Sequence, residues 1–573
     1  MIKRVFNLLP ALLAIILAGS CANRIGKETS EPIRYNQVGY QTNSQKLALV
    51  ADGVTEVVMT DVQGSEVFRT TPPPAVYWEA SGDAVSVVDF SSVNKPGHYT
   101  LSLSGINQSF EINIADQPYN EVARAALKAF YFNRSAMPIE EAFGGQWARP
   151  AGHPDSLVMV HASAASEARP EGTILSSPLG WYDAGDYNKY VVNSGITTYT
   201  LLRAFTDFQD YFKTLDVNIP ESGDALPDLL NEILYNYQWV LTMQDPNNGG
   251  VYHKLTTKQF EGFVMPHEAI NQRYVVQKST TAALNFAALA AKGYRTFKEL
   301  DQQLPGLAEA SLKQAEYAWQ WAVNHPNVEY IQPQDIGTGA YDDQTFDDEW
   351  FWAASELWLA TGKPGYLDTV LEKYAKPQVP TWNQTYALGV MSLLNNLDIL
   401  PEALLNTNLK NDFLTLAEEL TEVSKTSPYA VSISKFAWGS NSDVANQGML
   451  KLFAYKISGN EEFLTSALSD LDYILGRNAT GYCFVTGFGT KKVMNIHHRP
   501  SGADGIEEPV PGFLAGGPNL SVLPDCDPLV KRSPFPAKSY VDLECSYSTN
   551  EIAINWNAPL VYLASGIDAL TTR

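Results

Sequence analysis

Asp183 and Asp186 stand three residues apart in the run Gly180-Trp181-Tyr182-Asp183-Ala184-Gly185-Asp186-Tyr187-Asn188-Lys189-Tyr190. Only two small residues separate them, so both carboxylates can converge on one point, hold a water between them and take its proton. An acidic loop capping a helix over residues 191–205 would look the same, and the run alone leaves both readings open. A second stretch reads Phe484-Val485-Thr486-Gly487-Phe488-Gly489, followed by Ile496-His497-His498-Arg499-Pro500-Ser501-Gly502. His497 and Arg499 offer donors suited to sugar hydroxyls, although a His-His pair also fits a metal site or a buried structural pair. No HExxH stands nearby, which argues against a zinc hydrolase. The third stretch runs from Tyr540 to Pro559 and contains Glu551 among Tyr547, Ile552, Ile554 and Trp556. Apolar neighbours desolvate a carboxyl and favour its protonated form, which is what a general acid needs. Pro559 fits a first helical turn with Asn557 as its cap, which would set Glu551 just upstream of a helix.

Two textures of chain must position these groups. Over residues 32–115 the pattern is short and β-rich, with Leu47 to Val50, Glu56 to Met59 and Ala84 to Val88 as strands. Asp52-Gly53, Gln63-Gly64 and Pro96-Gly97 read as turns, and Phe110 to Ile114 alternates with period two. Strands this close together predict a small all-β, immunoglobulin-like sandwich. From residue 118 to 573 the chain becomes mainly α, a succession of amphipathic helices. Leu464, Ala467, Leu468, Leu471, Ile474 and Leu475 share one face, and Gly362 and Gly459 fall where C-terminal caps are expected. Roughly a dozen helical segments fit a toroid of helical hairpins, with polar, aromatic loops carrying the function.

The bulk composition narrows the partners. With 45% hydrophobic and 18% charged residues the 573-residue chain can bury a large core. A net charge of −23 would repel nucleic acid and anionic polymers and suits a neutral substrate. At the start, Lys3 and Arg4 precede an apolar run too short for a permanent membrane span. That run ends in Leu17-Ala18-Gly19-Ser20-Cys21, which resembles a bacterial lipobox. Residues 1–20 then read as a signal peptide, Cys21 as the lipidated first residue and 21–31 as a tether. The expectation is an exported protein anchored by lipid to a bacterial membrane, the outer one. Cys483, Cys526 and Cys545 remain, too few and too scattered for a metal cluster, with a Cys526–Cys545 bridge left open.

Taken in order, these stretches resemble family 9 glycoside hydrolases, the cellulase family with an (α/α)6 barrel. Ile219 to Asp224, Gly249 to Lys254 and Trp438 to Ser442 share the likeness. Ile33 to Tyr40 resembles the immunoglobulin-like module that precedes the barrel in one branch. The resemblance implies an inverting enzyme cutting β-1,4-linked glucan, with acid and base about 6.5–9.5 Å apart to admit a water. It assigns Asp186 as base, Asp183 as its helper and Glu551 as acid. It also places His497, Arg499, His253, Trp438 and Tyr547 against the substrate, with Asp542 organising the pocket. No cofactor is required for the chemistry. The run through Asp348 and Glu349 resembles a calcium-binding stretch, and oxygen ligands suit that ion. A zinc site found in some relatives is replaced here by Ser135 and Gly152-His153.

Three other readings compete. An exo-acting relative would share these residues and differ in loops, of which 149–179 and 502–538 are long enough to wall off one end of a cleft. A non-catalytic glycan-binding lipoprotein would not need Asp183, Asp186 and Glu551 together. A polysaccharide lyase on a similar toroid would meet its uronate substrate with an unfavourable charge. The spread of contact candidates from His253 through Trp438 to His497 favours internal cleavage.

Overall fold

The computed structural model describes residues 31–521 and 525–571. Cys21, the signal and nearly all of the expected tether lie outside these residues.

Alternating side chains build the first module from two sheets. In one, Ile33–Arg34, Leu47–Ala51, Asp83–Asp89 and Val76–Trp78 lie side by side in that order. In the other the order is Tyr40–Gln41, Ser109–Ala115, Gly97–Leu103, Val57–Asp61 and Glu66–Thr70. Ala48, Val50, Met59, Val88, Leu101 and Ile112 fill the space between them. The module is docked onto the second domain by polar contacts. Asn36 donates to Asp472 Oδ1 at 2.7 Å, and the Gln37 N–H donates to the Leu475 carbonyl. Trp78 lies against the ring of Tyr429 at 4.5 Å.

Among the described residues, the helices of nine residues or more alternate between an outer and an inner ring. The outer ones are Asn120–Phe132, Asp228–Thr242, Leu307–Asn324, Pro364–Lys373, Leu409–Thr426 and Glu461–Ile474. The inner ones are Val191–Asp207, Thr280–Phe297, Asp347–Thr361, Tyr386–Leu394, Ser440–Ser458 and Ile554–Thr571. The sequences separate the two rings. Leu409–Thr426 buries a single stripe, Leu409, Phe413, Ala417, Thr421 and Ser424, as an amphipathic helix must. Thr280–Phe297 buries nearly every residue and carries Ala282, Ala283, Ala287, Ala288, Ala290 and Ala291, small enough for neighbours to approach on all sides.

Each outer helix returns the chain, so the inner helices run the same way and share one N-terminal mouth. The segments entering them there carry Asp183 and Asp186, Tyr341, Trp382, Trp438 and Glu551. The last helix starts earlier than Pro559 and Asn557 suggest. It begins at Ile554, whose N–H bonds the Asp183 carbonyl at 2.8 Å, and Pro559 lies inside it. Asn557 is not a cap: it accepts from Leu514 N–H and donates to the Ala126 and Gly512 carbonyls. Residues 149–179 supply the strands Val158–Val160 and Ile174–Leu175 of a small sheet that also includes Lys254–Thr256. Cys526 and Cys545 are bridged, with Cα atoms 5.2 Å apart, and Cys483 is free and buried.

Candidate active site

The three stretches meet through their backbones. Ala184 pairs with Ala553, and His497 pairs with Glu551 in parallel. Gly185 is needed at the crossing, because a Cβ there would stand 2.2 Å from the His497 carbonyl oxygen. Arg499 clamps the same point, donating from Nη1 to the Gly185 carbonyl at 2.6 Å and from Nε to the Glu261 carbonyl at 2.7 Å. Those donors hold loops together; the sequence reading gave them to the substrate.

Asp183 and Asp186 are both buried but differently bound. Asp183 accepts from Asn193 Nδ2 on both oxygens at 3.0 Å and from the Tyr341 hydroxyl at 2.9 Å. Burial, then the charge of Asp186, still pushes its carboxyl well above the usual range. Asp186 accepts from Asn188 and from the Tyr190 hydroxyl on Oδ2 alone. Its Oδ1 has no hydrogen-bond partner among the described residues. Glu551 projects into the same cavity, of about 540 Å³. Burial raises its carboxyl to about 8, the charges of Asp186 and Asp183 add to this, and Arg499 and the Gly185 N–H oppose it.

His497 donates from Nδ1 to the Glu544 carbonyl at 2.7 Å, and burial holds the ring below its ordinary pKa. The neutral ring therefore presents Nε2 as an acceptor. His498 turns away, bonded to Ser501 and packed on Phe513. Asp542 accepts the N–H groups of Met494 and Asn495 and the Asn550 side chain, so it ties the strand before His497 to the residue before Glu551. Trp438 is 44% exposed at the cavity wall, with Tyr547 5.7 Å away between it and His497.

His253 is a correction to the sequence reading. It is fully buried one layer behind the wall, stacked on Tyr330 at 4.0 Å, with Nδ1 on Ser279 and Nε2 on the Ala340 carbonyl. With Lys254, which donates to the Gly339 carbonyl, it fixes the segment that presents Tyr341. Tyr341 itself sits in the left-handed region at φ 50°. Sequence reasoning missed it. An aromatic residue before an acidic run gave no sign of a bond to a carboxylate far away in the chain. Trp382 and Asp443 also line the cavity and were also missed. Among the described residues, none of 149–179 or 502–538 lines it.

Asp348 and Glu349 open the inner helix Asp347–Thr361. Asp348 accepts from the Thr385 N–H at 2.6 Å, while both Glu349 oxygens and Asp343 Oδ2 are buried without a partner. Burial first, then mutual repulsion, raises Glu349 well above the usual range. Among the described residues no three acidic, histidine or cysteine side chains are gathered into a metal-ligand group. The unpaired oxygens are nonetheless of the hard type calcium takes. Ser135 bonds the Leu179 carbonyl and His153 bonds the Tyr182 hydroxyl.

A raised acid facing a carboxylate pair in an aromatic-walled cleft, at one mouth of an α/α barrel, puts the molecule among the glycoside hydrolases. The chain belongs to glycosyl hydrolase family 9, whose model matches residues 119–564, and a cellulase N-terminal ig-like domain matches residues 28–108. It is 45% identical over 582 residues to the xyloglucan-specific endo-beta-1,4-glucanase BoGH9A of Bacteroides ovatus, covering 98% of each. It is 31% identical over 584 residues to endoglucanase D of Acetivibrio thermocellus, covering 98% of this chain and 86% of that protein. A solved Bacteroides ovatus GH9 structure superposes with a TM-score of 0.89 at 46% identity, covering 94% of this chain and 99% of that one.

Proposed function

We propose that the protein is an inverting endo-β-1,4-glucanase with Glu551 as general acid and Asp186 as general base. The observation that carries this reading is one cavity holding both a carboxyl raised to about 8 and a carboxylate with a free oxygen. Glu551 gives its proton to the glycosidic oxygen as the bond to the anomeric carbon breaks. A water attacks that carbon from the other face, and its proton passes to Asp186 Oδ1. Asp183, fixed by Asn193 and Tyr341, positions the water. His497 Nε2 accepts a sugar hydroxyl, and Trp438 and Tyr547 offer ring faces to glucose units. Internal cleavage is supported by the long stretches 149–179 and 502–538, which leave the cavity wall to others. The relative named for xyloglucan makes branched β-1,4-glucan the first substrate to try. Proton NMR of the earliest products from xyloglucan or a linear β-glucan should show the α-anomer first. A β-anomer appearing first overturns the single-displacement reading.

Two further parts belong to the proposal. Calcium held at Asp348 and Glu349 would neutralise buried charge where the chain leaves Tyr341 and enters its helix. Chelation should then lower the melting temperature and added calcium restore it; an unchanged melting curve removes the ion. Lipidation of Cys21 would hold the protein at the bacterial outer membrane. Cys21→Ser should move it to the soluble fraction, and retention in the membrane fraction ends the lipobox reading.

A further inference from the structure

Asp443 sits in the first turn of the inner helix Ser440–Ser458, on the cavity wall and partly buried. Its carboxylate has no hydrogen bond and no ion pair among the described residues. Burial penalises the charged form of a side chain that no partner offsets. Here burial alone pushes the carboxyl up to about 7. No other charge enters that shift, so Asp443 is electrostatically apart from Asp183, Asp186 and Glu551 although it shares their cavity.

A second acceptor lies behind the same wall. Asn555 is only 9% exposed, lines the cavity, and its Oδ1 is buried without a donor. It stands in the first turn of Ile554–Thr571, the inner helix packed against Ser440–Ser458. The two turns are held in register by Gly439 at φ 83°, where a Cβ would stand 3.1 Å from the Trp556 indole. Asp443 is the acceptor that faces the open cavity, and the exposed ring of Trp438, which lines the same cavity, is a face on which a pyranose can lie.

We propose that Asp443 accepts hydroxyls of one glucose unit of the bound chain, away from the bond being cut. This rests on the glucan reading above. A carboxylate accepts two hydroxyls at once, so Asp443 selects a ring with adjacent equatorial hydroxyls and discriminates against one blocked there by a substituent. Because the contact is the same before and in the transition state, it affects KM and leaves kcat alone.

The test is calorimetric binding of cellotetraose and cellohexaose to the Glu551→Gln enzyme, with and without a change at 443. Hydrogen bonds to a charged group are worth roughly a 10–100-fold change in affinity. Asp443→Ala should lose that factor, and Asp443→Asn, which keeps one acceptor, should lose less. In the active enzyme the same changes should raise KM by a similar factor with kcat near the parental value. Neither should lower the melting temperature, since no intramolecular partner is lost. If both variants bind within about twofold of the Glu551→Gln parent, the role of Asp443 is overturned while the glucan reading stands. If that parent binds neither oligosaccharide, the glucan reading falls and takes this one with it.

Discussion

The inner helices end in two mouths, and carboxylates fare differently at each. At the N-terminal mouth Asp183, Glu551 and Asp443 have no ion-pair partner among the described residues, and burial, the largest cause in each case, raises them. At the C-terminal mouth Asp207 and Glu356 are as deeply buried, yet both are held below their usual range. Burial alone would raise Asp207, but Arg203 and Lys456 outweigh it; for Glu356, Arg295 and Lys292 do so. Helix dipoles point the other way, favouring anions at the first mouth and cations at the second. The supply of cations therefore decides which carboxyls keep a proton, ahead of burial and dipoles. Asp207 and Glu356 are paired with cations where they hold helices together, whereas Asp183, Glu551 and Asp443 stand without one where a proton must be given or taken.

The largest effect should come from removing the unpaired groups. Glu551→Gln and Asp186→Asn should each cut turnover of β-glucan by about 10²–10⁴-fold. They should differ on an aryl cellobioside with a very acidic leaving group, which needs no proton: the Glu551 variant recovers, the Asp186 variant does not. Near-parental rates in a folded variant would remove that residue from the chemistry.

At the other mouth the cost should fall on stability. Asp207→Ala leaves Arg203 and Lys456 facing each other without their shared carboxylate, which bonds them at 2.7 and 2.5 Å. Breaking a buried pair in this way costs about 3–5 kcal/mol. The melting temperature should fall by several degrees while kcat on β-glucan holds. A drop in kcat without a drop in stability would mean that the two ends are not separate in function.

Much of the first mouth was legible in the sequence, and little of the second. Asp183, Asp186 and Glu551 stand in compact runs whose residue types state a chemistry, and Gly185 makes sense once the two aspartates must meet another strand. The strands at 47–51 and 83–89 followed from short β-rich runs between turns, the one at 109–115 from alternation, and the outer helix Glu461–Ile474 from its apolar stripe. Positions fixed by distant partners were not legible. His253 looked like a cleft residue because its motif is near one, but its two ring nitrogens are claimed by Ser279 and Ala340. Tyr341 carries no local sign of its bond to Asp183. The pairing of Arg203 with Asp207 is a helical i,i+4 contact that can be read locally, but which mouth it occupies depends on how the helices close into a ring.

The smallest effect concerns pH and compares the two mouths directly. A carboxyl raised in the folded state ties its proton to the fold. Below its unfolded value, about 4.3, both states are protonated and nothing is gained or lost. Between there and about 8, the folded value of Glu551, the unfolded chain releases a proton that the folded one keeps. Stability is therefore lost as pH rises through that window, by at most about 1.4 kcal/mol per pH unit, and levels off above it. Glu551→Gln cannot ionise, so its melting temperature should gain on the parent from pH 5 to 8 and run parallel beyond. Asp207 has the opposite sign: its lowered carboxyl contributes stability that is present at neutral pH and disappears in acid. Asp207→Asn should therefore approach the parent only below about pH 4, where the unfolded carboxyl also takes a proton, while Glu551→Gln approaches it from above as pH falls from 8 to 5. Melting curves at half-unit steps from about pH 2 to 9 measure both. If the Glu551→Gln gap is flat with pH, the carboxyl ionises in the folded protein as it does in the unfolded chain. The cleft would then not hold its proton, and the acid would have to be sought elsewhere on the wall.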